Sequence, residues 1–232
     1  MYVWAPFLAL GPGRVRPGSP VVEIERGPHS VRLKTAEGFE DLFDDVILAC
    51  HSDQALKILG SEATEAERAV LGNLKYQKNH AVLHTDASLM PRDRSLWGAW
   101  NYLSRDYGNT DSPGAVTYHM NDLQGLDSPR PVFVTLNPYQ EPGADTVIER
   151  FAYDHPLFDQ AALDAQSQLA ALQGSNRTWF AGAYAGYGFH EDGCQAGLSV
   201  ASALGGGVSW TRDIVPMSAA VRCVDTARAV QL

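Results

Sequence analysis

The sequence predicts a mixed α+β protein. Three observations carry that reading: closely spaced strand-like runs near the start and in the middle of the chain, apolar residues at helical spacing towards its end, and a glycine-rich turn, "AGAYAGYG" (181–188), set between a strand-like and a helix-like stretch. With 232 residues the chain can bury a core as one large domain or two smaller ones.

The elements follow in order. "SPVVEIERGPHSVRLKTAEGFEDLFDDVILACH" (19–51) holds strand-like runs at 21–25, 30–35 and 45–49, separated by turn signals at Gly27-Pro28 and Glu37-Gly38. This is a β-meander feeding a further strand. "DDVILAC" is apolar almost throughout, so it is expected in a second sheet and covered on both faces. Ser52-Asp53 suits the cap of a short helix over 53–59, and Thr64 with Glu67 has the spacing of a capping box, starting a helix that runs to about Leu71.

Four short runs then follow, at 80–91, 97–104, 114–126 and 131–138, punctuated by Pro, Asp and Gly. They read as a β-rich insert. "LFDQAALDAQSQLAALQG" (157–174) has helical periodicity and a closing glycine, "RTWFAGAY" (177–184) returns as an apolar strand, and 192–204 is a second helix closed by Gly205 to Gly207. The tail from Val208 has weak periodicity and is assigned nothing.

Composition narrows the function classes. The chain is 45% hydrophobic and 19% charged, as in ordinary globular proteins, and 18 basic against 27 acidic residues give a formal net charge of −9. No basic cluster interleaves with aromatics, so nucleic acid is not an expected partner. No apolar run approaches the roughly 20 residues of a membrane helix, and the start lacks the pattern of a signal peptide, so a cytoplasmic location is expected. Cys50, Cys194 and Cys223 are unevenly spaced and form no CxxC pair, which points to neither a disulfide framework nor a metal site. Ser52 and Ser199 lack a GxSxG elbow, so hydrolase chemistry has no support.

A strand, a glycine turn, two acids and a helix can bind an anion, because a helix N-terminus presents free N–H groups. Glu191 and Asp192 equally suit a helix start for dipole reasons alone.

Taken with "LACHSDQAL", "YQKNHAVLHTDASLMPRDRSLWGAWNY" and "FVTLNP", the run "GAYAGYGFHEDG" resembles the latter part of the FAD-dependent amine oxidase superfamily, in a bacterial branch described as predicted NAD/FAD-binding proteins. The resemblance covers about residues 14–206. It implies part of a Rossmann-like FAD domain with a β-meander over 14–71 and 156–207, a β-rich substrate domain over 72–155, and an unassigned tail over 208–232. It also implies FAD as cofactor, with Val22, Ala49, Cys50, Gly182, Ala183, Tyr184, His190, Glu191, Asp192 and Gly193 beside it. A side chain at Gly182 would then occupy ligand space.

The insert would wall a small or lipid-like substrate whose amine or C–H bond is oxidised, with His84, Trp97, Trp100, Asn101 and Tyr118 as candidate lining residues. Met120 and Gln124 are further candidates for that wall. His84 and Asp86 alternate with Leu83 and Thr85, so one pair faces the cleft and the other the core. No catalytic residue is assigned.

Two departures stand out. The superfamily opens with a strand and a GxGxxG turn, whereas "GPGRVRPG" (11–18) offers only Gly11-x-Gly13. Ala181-Gly182-Ala183 stands where the superfamily has Ala-Gly-Glu. The expectation is therefore the C-terminal portion of a longer flavoprotein, holding little flavin by itself and open to self-association through an exposed sheet edge. The alternative is a cofactor-free remnant or interaction module.

Overall fold

The computed structural model describes residues 13–104 and 114–206. Gly11, Gly207, Cys223 and the tail lie outside the described residues. The chain divides into two compact units, Met1–Lys75 with Pro156–Leu232, and Tyr76–His155.

In the first unit, β1 (Val21–Arg26), β2 (Val31–Thr35) and β3 (Glu40–Phe43) form an antiparallel meander in that order. Sequence reasoning missed β3, whose four residues are all exposed and so show no buried alternation. Ile24 and Val31 pack inward, while the register of β1 slips between Val21 and Glu23. That bulge explains why Val22 stands 46% exposed in an apolar run.

The chain then crosses to a second sheet, where β4 (Val46–Leu48) pairs in parallel with β10 (Thr178–Phe180). Both strands are shorter than the sequence suggests. Val46 and Leu48 are buried but Ile47 is 45% exposed, so the expectation of a strand covered on both faces fails. Among the described residues β4 has a bonded neighbour on one side only.

Helices pack around this pair. α1 (Ser52–Leu59) is capped by His51 rather than Ser52, the His51 N–H donating to Gln54 Oε1, while Ser52 turns inward and donates to the Leu74 carbonyl at 2.8 Å. α2 (Glu65–Leu71) begins at the expected capping box: the Thr64 side chain accepts from the Glu67 N–H and the Glu67 carboxylate accepts from the Thr64 N–H. Glu67 also receives Arg26 of β1 at 2.6 Å in an ion pair buried on both sides. Leu48, Leu59, Leu71, Leu169, Phe180 and Val200 join Ile24 and Val31 in one core.

The second unit is a five-stranded sheet in the order β6-β7-β8-β5-β9, built from β5 (Tyr76–His84), β6 (Trp100–Leu103), β7 (Ala115–His119), β8 (Phe133–Leu136) and β9 (Val147–Pro156). β9 escaped sequence analysis because an edge strand with eight consecutive exposed residues buries no face. A short helix, α3 (Met120–Gln124), follows β7 and ends at left-handed Gly125, so Met120 and Gln124 belong to a helix rather than a strand.

Back in the first unit, α4 (Gln160–Leu172) lays Ala162, Ala165, Gln166, Leu169 and Leu172 inward, and α5 (His190–Ala203) closes the described chain. α5 starts two residues before the expected Asp192.

Candidate functional site

Because β4 and β10 are parallel and Phe180 pairs with Leu48, their carboxyl ends emerge side by side. The Ala181 N–H donates to the Leu48 carbonyl at 3.2 Å, which sets Ala49-Cys50 next to Ala181-Gly182. In open parallel sheets this is the edge where ligands bind.

Beside β4 lies an open groove of about 570 Å3, whose wall includes Val22, Ile47, Ala49, Cys50 and, from α1, Gln54 and Ile58. The fold therefore gathers Val22, Ala49 and Cys50 on one surface. Ala49 is exposed and Cys50 half-buried; burial pushes the Cys50 thiol upward, and the nearby Asp53 charge adds to that.

The glycine turn after β10 winds into one turn of 3-10 helix, Ala183–Ala185, before α5. Gly188 has φ +88°, a left-handed conformation that favours glycine. Gly182 is extended, and its lack of a side chain is used inside the protein: an added Cβ would lie 2.7 Å from Tyr184 Cδ1. The expectation that a Gly182 side chain would meet ligand is thus corrected. It would meet Tyr184 first.

The acids are engaged as well. The Asp192 carboxylate accepts the Phe189 N–H at 2.8 Å, and Glu191 accepts from Gln195. A Cβ on Gly193 would meet Ala183 at ordinary contact distance, and His190 is exposed. The residue sequence reasoning overlooked is Gln166. Its buried amide donates to the carbonyls of Tyr184 and Gly186 at 2.9 and 2.7 Å, clamping the turn to α4. The signal was a glutamine inside the apolar stripe of that helix.

In the second unit the five candidate wall residues divide between the two faces of the sheet, as the pairings of Asn101 with Thr117 and Trp100 with Tyr118 require. Trp100 and Tyr118 share one face, their rings edge to face at 5.4 Å, with Trp100 61% exposed. Burial pushes the Tyr118 hydroxyl upward. His84, Trp97 and Asn101 belong to the opposite side, so these five do not wall one cavity.

His84 is fully buried and cannot face a cleft. Its Nδ1 accepts the Asp86 N–H and its Nε2 meets Thr135 Oγ1 at 2.8 Å; burial holds its pKa below the usual value. Asp86 accepts from the Gly143 and Ser88 N–H groups, which keeps its carboxyl below the usual range. Trp97 donates to the Pro91 carbonyl and packs on His119 and Phe133. Asn101 is spent on both backbone groups of Gly98 and on the Thr117 carbonyl. All three hold the unit together.

Among the described residues no group of three or more His, Cys, Asp or Glu side chains is placed to hold a metal ion, and no helix is long and apolar enough to cross a membrane.

No protein-family model matches the chain, and no curated protein matches it significantly. Solved structures do. The CLA-producing fatty acid isomerase of P. acnes is similar at 15% identity and a TM-score of 0.55, over 80% of this chain and 47% of that one. A putative protoporphyrinogen oxidase from Exiguobacterium sp. 255-15 is similar at 13% identity and a TM-score of 0.56, over 80% and 46%. HpxO of Klebsiella pneumoniae, complexed with FAD and uric acid, is more distantly similar, at 16% identity and a TM-score of 0.41, over 85% and 51%. The chain thus spans less than half the length of the first two, with which it shares a mixed α+β fold.

Proposed function

We propose that the chain carries one flank of the cofactor site and the substrate wall of an FAD-dependent oxidoreductase of the amine oxidase or desaturase type. The observation behind this reading is the meeting of Ala49-Cys50 and Ala181-Gly182 at the carboxyl ends of two parallel strands, beside an apolar groove.

The donor set decides which parts of FAD fit. Val22, Ile47 and Ile58 give the groove an apolar lining suited to a flat ring, and the second oxygen of the exposed Glu191 carboxylate is suited to a sugar hydroxyl. Glu191 and Asp192 at the head of α5 disfavour a pyrophosphate there. The uncharged portions of the dinucleotide therefore fit the turn, while Lys57, which also lines the groove, is a donor suited to a phosphate.

Bound in that way, FAD would supply the acceptor for a hydride from the substrate carbon. The protein's own part is positioning: Gln166 and Asp192 fix the turn. The likeness to a fatty acid isomerase favours the lipid-like end of the substrate range.

An amide-resolved NMR titration of the full chain with FAD tests the assignment. Saturable shifts at Ala49, Cys50, Ala183 and Tyr184 are expected. Shifts confined to other residues would remove these from the site.

A further inference from the structure

The second unit holds a separate cavity on the buried side of its sheet. It measures about 420 Å3, within the range of small-molecule sites, and Met90, Leu103, Ala115 and Pro138 are among its walls. Thr117 and Thr135 also line it, although they are only 4% and 1% exposed.

Behind them runs a directional chain of hydrogen bonds. Because His84 Nδ1 accepts the Asp86 N–H at 3.1 Å, that nitrogen carries no proton, and the neutral ring holds its hydrogen on Nε2. Nε2 therefore donates to Thr135 Oγ1 at 2.8 Å, and Thr135 Oγ1 lies 2.9 Å from Thr117 Oγ1. The depressed basicity of the buried ring keeps it in this neutral form.

The hydrogens can be counted. His84 Nε2 and the two hydroxyls bring three donor hydrogens, whereas the contacts from Nε2 to Thr135 and from Thr135 to Thr117 consume two. One hydroxyl hydrogen is left over, with no acceptor among the described residues. Whichever threonine carries it, that residue is one of those lining the cavity. A buried donor without a partner is costly, so such a group calls for an acceptor.

We propose that this cavity binds a small, mainly apolar molecule through a single hydrogen-bond acceptor, such as a ketone or ester carbonyl, which receives the surplus hydroxyl hydrogen of the Thr117–Thr135 pair. The site is independent of the flavin reading, since it needs only residues of the second unit. Asn101 contributes no competing donor, because both of its amide hydrogens are already engaged by carbonyls.

The test uses the full chain with acetophenone and with ethylbenzene, a near match in shape that lacks the acceptor, followed by ligand-observed NMR titration. In the Thr117→Val/Thr135→Val double variant the ratio of acetophenone to ethylbenzene affinity should fall about fivefold, the worth of a typical net hydrogen bond. Thr117→Val alone should keep most of the ratio, because the Thr135 hydrogen then becomes the free donor. An unchanged ratio in the double variant would overturn the proposal, as would failure of acetophenone to bind the wild type. If the double variant does not fold, the wild type decides: the carbonyl stretch of bound acetophenone should lie below its position in hexane, and an unshifted stretch refutes the hydrogen bond.

Discussion

The ring of Tyr184 lies against Gly182 so closely that a Cβ on the glycine would sit 2.7 Å from Cδ1. Tyr184 is itself buried, so the ring has little room to withdraw. Gly182→Val is therefore expected to destabilise the fold by about 1–3 kcal/mol through overpacking. Gly197→Ala in α5, where a Cβ meets nothing within 4 Å, should stabilise by about 1 kcal/mol from helix propensity. Thermal melts followed by circular dichroism check both signs. A Gly182→Val melt matching wild type would mean that the turn tolerates side chains.

Gln166 holds the same turn from the other side. Replacing it with Leu leaves the Tyr184 and Gly186 carbonyls without their amide donor, at an expected cost of about 2 kcal/mol or more. Hydrogen exchange should accelerate at the Gly186 and Gly188 amides, which bond within the turn, more than at Leu48 or Phe180. Uniform acceleration would show a general loss of stability instead.

The buried Arg26–Glu67 pair sets the response to acid. Burial alone would raise the Glu67 pKa, but the Arg26 hydrogen bonds and charge, with the Thr64 N–H and hydroxyl, bring it below the usual value. A carboxylate depressed in the folded state contributes stability that is complete above its unfolded pKa and is lost as pH falls through the folded one. Glu67→Ala should cost about 3–5 kcal/mol at neutral pH, since it leaves Arg26 buried and uncompensated. Urea melts across the acid range should show the variant's deficit shrinking as pH drops; a constant deficit would contradict the ion-pair account.

The two tryptophans of the second unit should separate. Trp100→Ala removes a largely exposed ring and is expected to cost less than about 1 kcal/mol. Trp97→Ala removes the hydrogen bond to Pro91 and the packing on Phe133 and His119, at about 3 kcal/mol. Equal costs would argue against assigning them to different faces.

What the sequence made legible is what local chemistry controls. The Thr64–Glu67 capping box, the meander at Val21 and Val31 and the apolar stripe of α4 are local signals, and each appears in the structure. β3 and β9 were not legible because they are exposed and carry no periodic apolar face. Arg26 meets Glu67 across 41 positions, a distance no local pattern reports. The candidate site was legible in part: Ala49, Cys50 and Gly182 do converge, but the division of Trp100 and Tyr118 from His84, Trp97 and Asn101 depends on strand register, which the sequence leaves open.

The central claim is that FAD lies along the carboxyl ends of β4 and β10, against Cys50. In a chain carrying Cys194→Ser and Cys223→Ser, the rate of Cys50 alkylation by iodoacetamide at mildly alkaline pH reports occupancy of that groove directly. The account predicts that rising FAD slows the reaction in a saturable way, while inorganic pyrophosphate, which carries the phosphates without either ring, protects far less. A Cys50 rate unaffected by FAD up to its solubility would contradict it.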